Sequence, residues 1–588
     1  MSYRTPVAEI SFALRHVARL DAAIASGAHG DLTLEDADAI LHEAGRVADA
    51  VIAPLNPIGD RQGARLEDGA VTTSPGWPDA YRTWIEGGWN GLSAEPEYGG
   101  QGLPLLLNAA CSEMWNAGSI SFALCPLLTA GGIEALTKHG SEDLKERYLE
   151  KLVSGEWTAT MNLTEPQAGS DLSLLRSRAE PAGDGSYRIV GSKIYITYGE
   201  HDMADNIVHL VLARLKDAPA GTRGISLFLV PKILPDGNHN DLRCSGLEHK
   251  LGIHGSPTCS MAFGDNGGAT GWLIGEENRG LACMFTMMNS ARLNVGLQGV
   301  GVAERSYQQA LTYARDRRQG KAAGSSDPVS PIVEHPDVQR MLLTMKAYTA
   351  AARGICYLTA EALDAARGPE GKQANDRASL LTPVAKAFST DIANEVTSLG
   401  VQVHGGMGFV EETGAAQHMR DARILAIYEG TNGIQAIDLV ARKLPLNGGA
   451  TVRAQLASMR RVAEAVQKDA TPAFGHLGPR LRAGIESLDR ATSFLLKALA
   501  SNRPEEAQAG ATPYLRLFGL AQGATCLALA ALASNAALKT GETDPAHGAR
   551  IALARFFAEN LLTAAGGLEQ SVVDGGGFTQ DGMLALTG

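Results

Sequence analysis

The spacing of apolar and polar residues divides the chain into segments of different kinds. Thr33, followed by Asp36, resembles a capping box, and the apolar positions after it keep to one helical face until Pro54. Spacing of three and four residues returns through 106–115 and 133–152. The first part of the chain is therefore predicted to be helical.

From about residue 157 the period changes. Short runs that are rich in β-branched residues, or that alternate apolar with polar, are separated by Gly, Pro, Asp and Asn. These predicted strands are 187–197, 206–215, 224–234 and 258–263. They predict a compact β domain.

Helical spacing returns from 280 to 444, with long stretches at 291–318 and 379–405 and a Gly/Ser/Pro loop at 320–331 between them. The remainder is again helical. We therefore predict an α+β multidomain protein. Its parts are an N-terminal arm (1–35), an N-terminal helical domain (36–158), a central β-barrel or sandwich domain (159–278), a helical bundle domain (279–445) and a helical C-terminal extension (446–588).

Composition is that of a folded globular protein, because 45% of the 588 residues are hydrophobic and 20% are charged. The net charge of -12 argues against binding to a nucleic-acid backbone as the main activity. Seven scattered cysteines without a C-x-x-C pair predict reduced core thiols. The N-terminus shows no secretory signal, so we expect a cytoplasmic protein.

One stretch, 517–538, carries no charge. It is rich in alanine and is interrupted by Gln522, Ser534 and Asn535, which favours a buried helix over a membrane span. No integral membrane segment is therefore expected.

The segment LTEPQAGSDL (163–172) offers one candidate for ligand binding. Gly169 and Ser170, after Pro166, place free backbone N–H groups and a hydroxyl at a tight turn, which would suit an anionic or heteroaromatic ligand. An ordinary turn capped by Asp171 is the alternative, and the segment alone favours it.

The strand at 191–202 presents Tyr195 and Thr197 as alternate side chains, which could stack on and hydrogen-bond a planar ring. A plain cross-strand pair is the alternative. His201 beside Asp202 has no second ligand at helical spacing, so we interpret it as a satisfied surface histidine and predict no metal site.

The segment 401–435 combines Gly405, Gly406 and Gly408 with Glu429. The glycines allow close approach of a bulky ligand, but G-G-M-G follows a helix and is not a dinucleotide fingerprint. Apolar neighbours should partly desolvate Glu429 and raise its pKa from about 4.3 toward the range of a general base. A solvated glutamate near a helix end is the alternative.

Together these segments, with 96–104, 248–263, 289–321 and 333–342, resemble the acyl-CoA dehydrogenase flavoprotein family over about 35–445. The resemblance implies a helical domain, a β domain and a four-helix bundle, with FAD bound between them and a neighbouring subunit. Its implied FAD contacts, with Tyr195 in place of the family's tryptophan, are Met161, Leu163, Thr164, Gly169, Ser170, Tyr195, Ile196, Thr197, Arg317, Gln402, Gly406, Thr431 and Asn432. The last five of these would reach the cofactor of the partner subunit.

The resemblance further implies α,β-dehydrogenation of an acyl-CoA, in which Glu429 takes the α-proton and the β-hydride passes to flavin N5. Ser170, Arg292, Tyr428 and Glu429 would contact the substrate. Electron-transfer flavoprotein would accept the electrons, and the enzyme would be a homodimer. The opening arm and the C-terminal extension resemble a branch of the family whose substrate would be 3-(methylthio)propanoyl-CoA or another short or medium acyl-CoA.

Two other functions stay open at this point. An acyl-CoA oxidase shares the fold and base but passes electrons to oxygen. A DNA-associated flavoprotein of the same fold should have a basic terminal domain, whereas 446–588 holds 13 Lys and Arg against 12 Asp and Glu. Nitroalkane oxidation is disfavoured because it would use Asp at position 429.

Overall fold

The computed structural model describes residues 3–368, 371–469 and 471–587. Its first part is helical, as predicted, and includes one small antiparallel hairpin. The elements are α1 (Val7–His16), α2 (Leu20–Ala25), α3 (Leu34–Val47), α4 (Leu55–Gln62), β1 (Arg65–Glu67), β2 (Ala70–Thr72), α5 (Trp77–Glu86), α6 (Leu105–Gly118), α7 (Ile120–His139) and α8 (Glu142–Ser154).

Local capping sets two of these boundaries. The predicted capping box is confirmed, because the Thr33 hydroxyl accepts the N–H of Asp36 and the Asp36 carboxylate accepts the N–H of Thr33, both at 3.1 Å. The stretch predicted as helical through 133–152 is two helices. Helix α7 ends at His139, and the Ser141 hydroxyl caps α8 by accepting a backbone N–H at 3.4 Å.

The central domain is a mixed sheet that closes on itself. Its strands are β3 (Trp157–Asn162), β4 (Arg178–Pro181), β5 (Tyr187–Thr197), β6 (Asn206–Leu215), β7 (Ser226–Pro231), β8 (Leu242–Leu247), β9 (Thr258–Phe263) and β10 (Ala269–Ile274). Strand β10 pairs with both β7 and β5, so the order β10-β7-β6-β4-β5 forms a ring. Strands β9 and β8 extend from β5, and β3 pairs in parallel with β6.

The predicted strands 187–197, 206–215 and 258–263 are confirmed with the same bounds, while 224–234 shortens to β7. The sequence did not predict β3, β4, β8 and β10. Strands β4 and β8 each contain an arginine, and β8 and β10 each contain a glycine. This breaks the alternation by which strands are recognised.

The prediction of a surface position for His201 is wrong. The ring is 2% exposed, with Nε2 2.9 Å from Thr158 Oγ1 and Nδ1 accepting the N–H of Met203 at 3.1 Å. Burial lowers the pKa of His201 to about 3, so the ring is neutral. Among the described residues no group of three His, Cys, Asp or Glu is placed to hold a metal ion.

The C-terminal helical domain is built on long helices that pack side by side. Its helices are α9 (Gly280–Asp316), α10 (Pro336–Ala365), α11 (Gly371–His404), α12 (Ala415–Arg423) and α13 (Asn432–Asp438). Helices α9 and α11 approach so closely that a Cβ at Gly296 would lie 2.7 Å from the carbonyl oxygen of Ala385.

The C-terminal extension is a helical layer. Its central helix, α17 (Ala511–Lys539), packs on α10. Helices α7 and α17 are long and apolar enough to cross a membrane, but 78% of the apolar window of each is buried. The interpretation of 517–538 as a buried helix is therefore confirmed, and all seven cysteines are buried and unpaired, as predicted. The helices are α14 (Ala450–Asp469), α15 (Leu477–Ala500), α16 (Pro504–Ala509), α17 (Ala511–Lys539), α18 (Pro545–Phe556), α19 (Ala565–Val573) and α20 (Phe578–Thr587).

Candidate active site

Glu429 lies in the short loop between α12 and α13, where its backbone adopts a left-handed conformation with φ of 54°. This conformation costs a non-glycine residue about 1–2 kcal/mol, so its neighbours must hold it. The Gln435 side chain donates to the Glu429 carbonyl at 3.1 Å, and the Thr431 hydroxyl caps α13 by accepting the N–H of Ile434 at 3.3 Å. The loop is thus fixed from the helix that follows it.

The half-buried Glu429 carboxyl has a raised pKa because burial disfavours its charged form. Arg292 and Lys386 oppose this effect through their positive charges. Tyr428, the preceding residue, donates its hydroxyl to Gln298 Oε1 on α9. The carboxyl therefore has the environment of a general base, as the sequence predicts.

Two charged residues of this cluster were not predicted. Asp438 lies 3.6 Å from Arg292, and both are buried. The Nζ of Lys386, also buried, donates to the Gly430 carbonyl at 2.9 Å and to Asn432 Oδ1 at 2.8 Å. A sequence signal existed for Lys386, since it is the only charged residue between 377 and 391.

Asn432, an implied FAD contact, uses its side chain within the chain. Its amide nitrogen donates to Asp391 Oδ1 at 2.6 Å and to Thr390 Oγ1 at 2.9 Å, while its oxygen accepts from Lys386. The Asn432 amide therefore supports the loop that carries Glu429.

A second cluster joins the two predicted segments that surround β3 and β5. The Thr160 hydroxyl donates to the Thr197 carbonyl at 2.6 Å, and the N–H of Ile194 donates to the Thr164 carbonyl at 3.0 Å. The Lys193 ammonium donates to the Leu163 carbonyl at 3.1 Å. The fold thus brings together two segments that are separate in the sequence.

The accessible groups of this cluster fit a planar heteroaromatic cofactor such as FAD. A register shift between Lys193 and Ile196 interrupts β5, and Tyr195, with φ of 61°, is 60% exposed. Ile196 is buried, while Thr197 is half-buried beside it. An exposed ring next to a hydroxyl can stack on a flat ligand and hydrogen-bond it.

The turn at 169–170 is open, since a Cβ at Gly169 would meet no heavy atom within 4 Å and Ser170 is exposed. Met161 is buried near the end of β3, and Leu163 and Thr164 are half-buried. Backbone N–H groups and a hydroxyl therefore border free space in the position that the sequence predicts.

Helix α7 connects the two clusters. A Cβ at Gly132 would lie 2.5 Å from Cβ of Ala159 on β3, and one at Gly131 would lie 2.8 Å from Cε of Met287 on α9. At its start, Ser121 accepts the Tyr198 hydroxyl at 2.6 Å. The cluster on β3 and β5 and the helix that carries Arg292 therefore lie on two sides of α7.

A cavity of about 50 Å³ lies along α7. Trp84, Trp89 and Trp115 line it. The Trp115 ring makes edge contacts with the other two, with ring centroids 4.3 Å apart for Trp84 and 5.5 Å apart for Trp89. Asn294 of α9 lines the other side and stands one turn from Gln298, the partner of Tyr428. The cavity is therefore within one helical turn of the cluster around Glu429.

The remaining implied FAD contacts lie elsewhere. Arg317, Gln402 and Gly406 are exposed at the far ends of α9 and α11, where Tyr313 stacks on His404 at 4.5 Å. At 1.5 Å per residue this end of α9 is about 36 Å from Arg292. These three residues do not join the cluster around Glu429 in the same chain.

Comparisons with known proteins agree with this architecture. Models of the N-terminal, middle and C-terminal domains of acyl-CoA dehydrogenase match 35–156, 160–266 and 278–444, and the "Acetyl-CoA dehydrogenase C-terminal like" model matches 456–579. The chain is 48% identical to 3-methylmercaptopropionyl-CoA dehydrogenase of Ruegeria pomeroyi over 98% of its own length and 99% of the relative's. It is 31% identical to a broad-specificity linear acyl-CoA dehydrogenase of Mycobacterium tuberculosis over 95% of each chain.

Two solved structures share the fold at low identity. ACDH-11 of Caenorhabditis elegans in complex with C11-CoA matches with a TM-score of 0.78 and 20% identity over 95% of this chain and 92% of that one. An acyl-CoA dehydrogenase of Bacillus anthracis complexed with FAD matches with a TM-score of 0.74 and 22% identity over 92% of this chain and 88% of that one. The extension is thus included in the shared fold.

The raised pKa of Glu429 predicts a pH-dependent effect of Glu429→Gln on stability. Because burial raises the folded pKa, the native state binds the proton more tightly than the unfolded chain, and wild-type stability falls as pH rises above about 4.3. The substitution Glu429→Gln removes this pH-dependent loss of stability. We expect the difference in Tm between variant and wild type to grow from pH 4 and to level off once Glu429 is ionised.

Scanning calorimetry from pH 4 to 8 measures this difference. Glu464→Gln, at an exposed position on α14, is the matched control for replacing a carboxylate by an amide, and the result for Glu429→Gln is compared with it. A flat difference for Glu429→Gln would contradict the raised pKa.

Proposed function

The chain belongs to the acyl-CoA dehydrogenase family, and from this premise we propose that it desaturates an acyl-CoA between Cα and Cβ with Glu429 as the base. The enzyme depends on FAD. The observation that carries the proposal is a half-buried carboxyl in a strained loop, with its pKa raised by burial and two cations beside it. Strain and a shifted pKa are typical of functional residues.

Bound FAD would supply the acceptor for the β-hydride. Tyr195 and Thr197 would contact its ring, and the open turn at Gly169 and Ser170 would border it. The Glu429 carboxylate would take the α-proton. Arg292 and Lys386 would favour the ionised form of Glu429 before the proton arrives.

The backbone around Glu429 offers a donor for the charge that develops on the thioester oxygen. The N–H of Glu429 makes no backbone hydrogen bond to the part of the chain that the structure describes. The carbonyls of Glu429 and Gly430 are held by Gln435 and Lys386, which fixes the two peptide units that directly follow this N–H. A fixed N–H in a partly desolvated site stabilises an enolate without reorganisation.

The acyl group that we propose is 3-(methylthio)propanoyl, in accord with the name of the relative from Ruegeria pomeroyi. Three indoles line the small cavity beside α7, together with asparagine and serine side chains, and a thioether sulfur interacts favourably with aromatic rings. We place the methylthio end of the substrate there.

We further propose a homodimer that passes electrons to electron-transfer flavoprotein. Arg317 and Gln402 lie at the exposed ends of α9 and α11, about 36 Å from Arg292. This distance supports a cofactor site that two subunits share, in which Arg317 and Gln402 would contact the FAD of the other subunit. A guanidinium such as that of Arg317 suits a pyrophosphate.

Glu429→Gln should reduce turnover about 10²- to 10⁴-fold while FAD stays bound, because the amide cannot accept the α-proton. Turnover is measured both with a dye acceptor and as peroxide release, and FAD content by absorbance. Substantial turnover in a variant that retains FAD would show that another group is the base. Fast peroxide release by the wild type would favour an oxidase.

Substitution of Trp115 by Phe should reduce the preference for the thioether. Pentanoyl-CoA, in which a methylene replaces the sulfur, is the matched substrate. We expect the wild type to favour the thioether about two- to tenfold in kcat/KM and W115F to favour it less. Trp272→Phe, in β10 and outside the cavity, is the control. An unchanged ratio in W115F would place the methylthio group elsewhere.

Mixed dimers test the shared site. In a dimer of one Arg317→Ala chain and one Glu429→Gln chain, one site keeps both Glu429 and a partner arginine. Co-expression should therefore restore about a quarter of wild-type activity at limiting FAD, although each variant alone is inactive. No recovery in verified mixed dimers would mean that Arg317 serves its own chain.

A further inference from the structure

Lys386 is a buried cation that contacts no reacting group in the proposed reaction. It lies on α11 with no exposed surface, in a stretch that is otherwise uncharged. Its ammonium donates to the Gly430 carbonyl and to the Asn432 side-chain oxygen, and both acceptors are neutral. A buried ammonium is costly unless a negative charge compensates it.

Two carboxylates supply negative charge around Lys386. Burial lowers the pKa of Lys386 to about 8, and the charges of Glu429 and Asp391 oppose this shift, with Glu429 the larger contributor. Asp391 accepts from Asn432 at 2.6 Å, and burial raises its own pKa. Glu429 and Asp391 are therefore the counter-charges of Lys386, and Glu429 is the one that lies in the loop held by the Lys386 ammonium.

The other cation near Glu429 already has a carboxylate partner. Arg292 on α9 lies 3.6 Å from Asp438, whose other oxygen accepts from Arg442. The charged groups around Glu429 are thus Arg292, which is paired, and Lys386, whose hydrogen bonds within the described part of the chain go to neutral atoms. Tyr428 stays neutral because burial raises its pKa. Loss of Lys386 would remove the less compensated of the two positive charges.

Lys386 also fixes the geometry of the loop. Both Glu429 and Gly430 have positive φ, at 54° and 83°. Gln435 holds the carbonyl of the first and Lys386 holds the carbonyl of the second. These two bonds to successive carbonyls oppose relaxation of Glu429 out of its left-handed conformation.

We propose that Lys386 is a positioning residue for the base, which holds the Gly430 carbonyl and serves as the counter-ion of the Glu429 carboxylate before proton transfer. This inference depends on the proposed role of Glu429. Once Glu429 is protonated the pair loses its negative member, so Lys386 favours the form that is ready to accept a proton. Its presence should extend activity to lower pH.

The test measures kcat and KM of the FAD-loaded enzyme from pH 5 to 9 for Lys386→Met and Lys386→Gln. Gln keeps a donor for the Gly430 carbonyl but not the charge, whereas Met keeps neither. We expect the acidic limb of the kcat/KM profile to move to higher pH in both variants. At pH 7 kcat should fall about tenfold or more in K386M, with partial recovery in K386Q and little change in KM.

Lys250→Met is the matched control. Lys250 is half-buried, donates to the Ser256 carbonyl at 2.9 Å, and has its pKa lowered to about 8 by burial. This variant should leave the acidic limb in place. FAD content and Tm are recorded for every variant, and K386Q provides the profile if K386M does not fold.

An acidic limb unchanged from wild type in a folded, FAD-loaded Lys386 variant would overturn the proposal. An equal shift of the limb in K250M would also overturn it, since any buried lysine would then have the same effect. Failure of the base assignment is recognised separately, because it would appear as retained turnover in E429Q whatever the Lys386 variants show.

Discussion

The close contact between α9 and α11 determines the geometry of the region around Glu429. Ala385, whose carbonyl faces Gly296, immediately precedes Lys386 in the chain, and Arg292 stands one turn before Gly296. Any side chain at position 296 would force the two helices apart. The contact therefore sets the separation of the two cations, and the loop of Glu429 is attached to one of these helices through Lys386 and Asn432.

Two glutamate–lysine pairs in this protein show why that attachment matters. Lys193 donates directly to Glu165 at 2.9 Å. Burial by itself would raise the pKa of Glu165, but this contact and the hydrogen bond from the Ser177 hydroxyl lower that pKa to about 2. A carboxylate held so firmly in its ionised form is a poor base. Lys386 instead donates to neutral acceptors and acts on Glu429 without such a bond, so burial remains dominant and the pKa of Glu429 stays raised.

Sequence patterns predicted much of the fold because strong alternation and helical spacing are local properties. The strands at 187–197 and 206–215 and the long helices follow from them. The cluster on β3 and β5 was instead expected from the turn residues at 169–170, from Tyr195 and Thr197, and from the family resemblance. Asp438 and Lys386 were missed because their roles depend on contacts between helices far apart in sequence. His201 was assigned to the surface because nothing in its local sequence reveals Thr158 on the neighbouring strand β3. Whether a polar residue is buried depends on tertiary packing, which the spacing of apolar and polar residues along the chain does not show.

The C-terminal extension also contributes to this geometry. A Cβ at Gly519 on α17 would lie 2.1 Å from the ring of Phe388, which is two residues beyond Lys386 on α11. Arg516 of the same helix pairs with Glu395 at 2.8 Å and donates to the Tyr348 hydroxyl at 2.9 Å. Helix α17 thus packs on α10 and α11 and also contacts α13, the helix that follows Glu429. With nearly balanced charge and a large buried helix, the extension is better explained as a support for the loop that carries Glu429 than as a separate binding module.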